Sequence, residues 1–497
     1  MMRAKTAQGA LCWLTLITAF AAAPVAADDT QASLETLLRQ NRTLHDEMQA
    51  LRGEVQRARD DARAARDTAE AAERSAGAGG SNVTPYPAQA MRDDAILSQG
   101  FGPANFQLLD VSLNTLFSGG GSSANDDDLS RLQAGEHDPR QRGFNLQQVE
   151  LSFLGAVDPY LTGEAHLVYF LDAEGESKFE IEEAFLTTQM LPFGIEEHGF
   201  QIEAGHFFTE FGRSNPQHPH QWNWQDQPIV NSRFFGGDGA RAPGFRIGWL
   251  TPLPWFSEVH FGMQNAKGET MVSFLANDEV FEERAIGGRP FGEPEVDGLD
   301  DFTYLMRWVN GFDVSETVNA QLGHSALYGP NGTGSGGDTW VVGSDLVVKW
   351  RPLSTHRGWP FVTWQTEFDW RRYEADANAD FGLSRRSFQD WGMYTELLWG
   401  FIRNWAVGAR YELVNGSGNS FDCDDTTSTC ETISHNDDPF RDRRHRFSPL
   451  LVFHPSEFSR LRLQYNYDRV QHLADGNVHT LWAGVEFNFG AHGAHSY

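Results

Sequence analysis

Long apolar runs are scarce in this chain. Beyond its first 27 residues no segment offers the ~18 uninterrupted apolar residues that a spanning helix needs, so a helical membrane protein is excluded. Cations are also few: 39 Lys and Arg stand against 68 Asp and Glu, a formal charge of −29 that becomes −31 without Arg3 and Lys5. That balance argues against nucleic acid as a partner and makes cations the more natural guests. There is no Gly-x-Ser-x-Gly nucleophile motif, no Gly-rich phosphate loop and no zinc-protease helix, so an enzyme is not expected.

Cysteine is rare too. Cys12 lies in the apolar run "LCWLTLITAFAAAPV", which follows Arg3 and Lys5 and precedes the small-residue sequence Val25-Ala26-Ala27. This is the pattern of a secretory signal peptide over residues 1–27, so the mature chain is exported. Cys423 and Cys430 remain, in the polar stretch "DCDDTTSTC". In an oxidising compartment that spacing reads as a loop-closing disulfide, ahead of a metal site.

What the chain does have comes in two unlike parts. Over 28–74, apolar residues recur at alternating steps of three and four, from Leu34, Leu37, Asn41, Leu44, Met48, Leu51 and Val55 on to Ala72. This is the a/d pattern of a coiled coil, with Asn41 setting register. A charged helix held by local Glu/Arg pairs is the simpler alternative. Residues 75–104 then read as a linker, where Pro85 and Pro87 forbid helix continuation.

From 105 to 497 the period changes to two. Val362, Trp364, Phe368 and Trp370 oppose Gln365, Glu367, Asp369 and Arg371; Leu461, Leu463 and Tyr467 oppose Arg460, Arg462, Gln464 and Asp468. One face suits lipid and the other water. Short turns at 157–160, 191–194, 398–404 and 454–459 alternate with long polar loops near 118–141, 210–240, 266–299 and 416–440. That alternation predicts an all-β fold, a transmembrane antiparallel β-barrel of about 16 strands, preceded by the α-helical coiled coil. By parity Arg371, Arg410, Arg460 and Arg462 point into the lumen with Glu367, Asp369, Asp390, Glu396, Glu412 and Asp468. So balanced a set favours hydrated polar solutes and disfavours anion selectivity.

The loop at 210–240 carries Trp222, Trp224, Phe234 and Phe235, rings that open water does not favour but a barrel wall can bury. It is expected to fold inward as a constriction, with His218, His220, Trp222, Trp224 and Asp226 facing the pore. His206, His218, His220 and Asp226 are the candidate metal ligands, although an extended His218-Pro219-His220 would turn its two rings to opposite sides. Hydrogen bonding that pins the loop is the competing reading. His492 and His495 in the tail are read chiefly as part of an insertion signal.

The stretch "AGHFFTEFGRSNPQHPHQWNWQDQPIV" and the terminal "FNFGAHGAHSY" resemble a family of bacterial outer-membrane porin-like proteins often labelled zinc-regulated outer-membrane receptors. The heptad segment resembles the helices by which some porins associate as trimers in the periplasm. The resemblance implies a trimeric outer-membrane porin, passively passing small hydrophilic solutes with a preference for divalent cations such as zinc. No cofactor is required; zinc or calcium is expected to bind weakly. The partners implied are lipid, lipopolysaccharide and, through the coiled coil, peptidoglycan or a periplasmic protein. The alternatives are a structural anchor tethering the envelope and a metal-binding receptor.

Overall fold

The computed structural model describes residues 109–490, apart from 133, 134, 174, 293, 425 and 426. The signal peptide, coiled coil, linker and the tail histidines His492 and His495 lie outside the described residues.

Sixteen antiparallel strands close on themselves. They are β1 (Asp110–Ser122), β2 (Gly143–Ala156), β3 (Leu161–Leu171), β4 (Ser177–Thr188), β5 (Phe200–Phe208), β6 (Arg241–Leu250), β7 (Phe256–Asn265) and β8 (Phe302–Ser315), followed by β9 (Val318–Pro330), β10 (Asp338–Trp350), β11 (Phe361–Ala375), β12 (Arg386–Ile402), β13 (Trp405–Ser417), β16 (Arg444–Ser456), β17 (Ser459–Val470) and β18 (Asn477–Gly490). Two short strands, β14 (Ser420–Asp424) and β15 (Thr429–Ile433), form a separate hairpin between β13 and β16. Cys423 and Cys430 face each other across it and are bridged.

Closure comes from β1 pairing with β18, with Ser112 opposite Gly490 and Ser122 opposite Thr480. Every barrel strand thereby has two neighbours, and the barrel has no open edge. The alternation of the sequence becomes two faces: along β17, Arg460, Arg462, Gln464, Asn466 and Asp468 are buried inward while Leu461, Leu463 and Tyr467 are exposed outward. Outward aromatic side chains gather near both rims, with Trp249, Phe312, Trp399 and Trp405 by the turns and Trp340 and Tyr467 by the loops. An apolar band between aromatic girdles is the exterior a barrel presents to lipid.

Some boundaries differ from the sequence expectation. β1 continues through Ser118–Ser122, the start of the stretch expected as a long polar loop near 118–141. A Cβ at Gly120 would lie 2.0 Å from the Leu481 carbonyl and 2.3 Å from the Trp482 ring. Glycine there lets β1 pair closely with β18. β12 likewise runs through Ile402, so the turn to β13 is far shorter than 398–404.

The largest apolar core lies inside the barrel. Phe211, Ile229, Val230, Phe234 and Phe235, from the loop between β5 and β6, cluster with Met271, Phe274 and Leu275 of the β7–β8 loop and with wall residues Leu305, Leu327, Val341, Tyr394 and Val414. Two long loops therefore fold inward and pack together against the wall.

Candidate functional site: the inward loop

The β5–β6 connection, residues 209–240, crosses the lumen and is hydrogen-bonded to walls on opposite sides. It enters through Gly212, whose φ of +62° belongs to the left-handed region and whose Cβ would lie 1.6 Å from Glu367 Oε1. No other residue type fits there. The Glu367 carboxylate accepts hydrogen bonds from the backbone N–H groups of Arg213 and Ser214, each at 3.1 Å, and from the Tyr394 hydroxyl at 3.0 Å. Further along, a short helix α1 (Ile229–Phe235) is buried throughout. Its Ile229 N–H donates to Glu412 at 2.6 Å, and its Arg233 pairs with Asp442 at 2.8 Å.

One wall meets the loop with arginines. Arg462 donates to the carbonyls of Trp222 at 3.1 Å and Trp224 at 2.6 Å, and Arg460 donates to that of His220 at 2.9 Å. Trp224 drives its ring toward the turn side, among Phe361, Leu398, Ala406, Leu450 and Val452, with its indole N–H donating to the Ser448 carbonyl at 2.9 Å. Arg410 pairs with the Asp226 carboxylate, and Arg446 reaches its other oxygen at 3.0 Å. Gln464 and Asn466 each donate to the same carboxylate at 2.8 Å. Burial alone would raise the Asp226 pKa; Arg410 and Arg446 instead hold it below the ordinary carboxylate range. Arg371 donates to the carbonyl of Arg233 at 3.3 Å and pairs with Asp390 at 2.7 Å.

These contacts place the charges expected to line the pore. Arg371, Arg410, Arg460, Arg462, Glu367 and Glu396 do point inward, but they are buried and bonded to the loop or to each other; Glu396, for example, accepts from Asn223 at 3.2 Å. Their charge is consumed in holding the loop rather than offered to solvent. Inward charges that remain partly exposed lie elsewhere: Arg246 at 17%, Glu203 at 13%, Glu210 at 26% and Glu258 at 32% of the side chain on β5–β7 and at the start of the loop, and Glu164 at 33% and Glu180 at 19% on β3 and β4. Parity alone finds Glu203, Arg246 and Glu258 as inward positions. It does not say which side of the lumen the loop leaves open.

The candidate metal ligands are also regrouped. Asp226 sits among arginines, away from the imidazoles, and His206 stands in register opposite Ala184, an exposed outer-face position. Residues directly opposite in a ladder share a face, so His206 does not join a lumenal site. His218 and His220, in contrast, come together. Pro219–Gln221 forms a single 3-10 turn instead of an extended segment, and the two rings stack with centroids 5.5 Å apart. The turn follows from Pro219, whose fixed φ suits a first helical position, and from the Gln221 side chain, which accepts from the His218 N–H at 3.2 Å.

Around these rings the opposite wall supplies carboxylates. His218 Nδ1 lies 2.7 Å from Glu182 and its Nε2 2.9 Å from Glu183, while His220 Nδ1 lies 2.9 Å from Glu150. His166 contacts the second oxygen of Glu150 at 3.0 Å. None of these wall residues was singled out from sequence. A signal was present, since the consecutive glutamates in "EIEEAF" break the alternation of β4, as a bulge does.

No family model matches the chain. An uncharacterized protein of Aquifex aeolicus is 27% identical over 423 residues, which span 78% of this chain and 80% of that protein. Among solved structures, the outer membrane channel DcaP of Acinetobacter baumannii aligns with a TM-score of 0.46 at 9% identity, covering 77% of this chain and 96% of its own. An anion-selective porin from Comamonas acidovorans gives 0.42 at 10% identity, covering 77% and 98% respectively. OprB of Pseudomonas putida gives 0.42 at 11%, covering 77% and 94%.

Proposed function

We propose that this chain is an outer-membrane channel through which small hydrophilic solutes diffuse, narrowed by its β5–β6 loop and assembled as a trimer through the N-terminal heptads. The observation that carries the reading is the pairing of a closed, apolar-faced barrel with an inward-folded loop that leaves Glu203, Glu210, Arg246 and Glu258 partly solvated on one side of the lumen. A barrel serving only as an anchor gains nothing from charged side chains kept hydrated at that depth, because each costs desolvation energy unless water or a partner reaches it. Arg246 lies between Glu203 at 3.0 Å and Glu210, so the solvated strip carries both signs. Opposed charges flanking a narrow passage favour polar, hydrated solutes without a strong preference for anions. The test is reconstitution of the purified full chain in planar bilayers, with reversal potentials under salt and sugar gradients. Stepwise current, arriving in groups of three for a trimer, is expected. A silent bilayer with correctly inserted protein contradicts the reading and leaves the anchor.

A further inference from the structure

The geometry points to a divalent-cation site of the zinc class, formed by Glu150 of β2 with His218 and His220 of the inward loop, that latches this loop to the β2–β4 wall. The ligand atoms lie within 4.8 Å of one another. Glu150 Oε2 is 2.9 Å from His220 Nδ1 and 3.7 Å from His218 Nδ1, and Glu182 Oε2 lies 2.7 Å from that same His218 nitrogen. Two imidazoles and a carboxylate converging, with Glu182 beside one of the imidazoles, are the donor types of zinc and its first-row neighbours, whereas calcium and magnesium take oxygen.

The surroundings are arranged as such a site requires. Metal-binding imidazoles commonly donate their other N–H to a carboxylate, which fixes ring and tautomer. His218 Nε2 meets Glu183 at 2.9 Å, leaving Nδ1 turned toward Glu150 and Glu182. The free oxygen of Glu150 is engaged by His166 at 3.0 Å and by the Ser152 hydroxyl at 2.7 Å. Both neighbouring glutamates are available only because β4 carries a bulge. His166 pairs with Glu183 and Leu167 with Ile181, so Glu182 is the extra residue, and both glutamates are buried inward. A regular strand would send one of them to the outer face. Backbone irregularity of this kind re-aims side chains at functional sites. A cation also offsets the burial of so many carboxylates in one place.

Zinc itself is the probe, added to the purified full chain in detergent after chelation. About one zinc per chain is expected by calorimetry and elemental analysis, and X-ray absorption is expected to show an N/O first shell with imidazole scattering. His220→Ala and Glu150→Gln are expected to abolish that stoichiometric uptake. Glu183→Gln, which removes only the group that orients His218, is expected to weaken it about 10–100-fold. Far-UV circular dichroism and heat-dependent gel mobility confirm that each variant still forms the barrel. Failure of the wild-type chain to bind, or equal binding by Glu150→Gln, overturns the proposal; so does loss of binding on removing the tail that holds His492 and His495. Binding is measured without reference to current, so it stands or falls separately from the diffusion reading.

Discussion

The inward loop is held by two walls of different chemistry. Against β13, β16 and β17 it meets permanent cations: Arg410 and Arg446 grip Asp226, while Arg460 and Arg462 grip backbone carbonyls. Against β2–β4 it meets imidazoles and carboxylates, His218 and His220 facing Glu150, Glu182 and Glu183. Guanidinium stays charged at any physiological pH and binds planar acceptors in a fixed fork. Imidazole, unlike guanidinium, can exchange a proton for a metal. The difference makes one side of the loop a fixed anchor and, on the cation site proposed above, the other a conditional latch.

The largest break in that comparison is expected from Asp226→Ala. It leaves Arg410 and Arg446 buried without their shared acceptor, and breaking a buried pair in this way costs about 3–5 kcal/mol. Hydrogen exchange over 213–235 should lose most of its protection while the barrel strands keep theirs. Gly212→Val should act next: the left-handed φ and the clash with Glu367 cost on the order of 1–3 kcal/mol and loosen the point where the loop enters. The same exchange experiment should show the change concentrated near Arg213 and Ser214.

A pH series sharpens the comparison at the loop-side rim, where the anchors are extramembrane. Burial opposes the charge on Asp442, but His472 and Arg233 bring its pKa down to about 2. The stability it contributes is therefore present above the ordinary carboxylate pKa and lost as pH falls through about 2. His137 shows the opposite sign: burial opposes its charge, yet Glu180 and Asp238 raise its pKa to about 10. Its contribution is complete below the ordinary imidazole pKa and lost as pH rises through about 10. Exchange protection near Arg233, corrected for intrinsic rate, is expected to fall only at the acid extreme, and that near Asp238 only at the alkaline one. The smallest effect is expected from reducing Cys423–Cys430, because the bridge closes a hairpin within the β13–β16 loop. Conductance should not change; a clear change would show that this hairpin also bears on the passage.

Much of this architecture was legible in the sequence. Period-two alternation, as in Arg460 to Asp468, identifies lumenal residues because each strand repeats every two residues regardless of its neighbours. The buried aromatics of 210–240 likewise announce a loop that leaves solvent. What alternation cannot supply is contact across the lumen. Arg410 and Arg246 look equivalent by parity, yet one lies under Asp226 and the other stays partly solvated, because the choice depends on how the loop folds in three dimensions. The pairing of His218 with His220 was hidden for a local reason, the 3-10 turn at Pro219, and the bulge hinted at by the consecutive glutamates of β4 is fixed at Glu182 only by the register with β3.

Single-channel conductance of the wild-type chain beside Asp226→Ala, in the same bilayer and salt, bears most directly on the proposal that this loop sets the width of the passage. Small steps for the wild type and steps several-fold larger for the variant are predicted. Equal steps from both, with loop protection shown to be lost in the variant, would place the limiting constriction elsewhere and contradict the account.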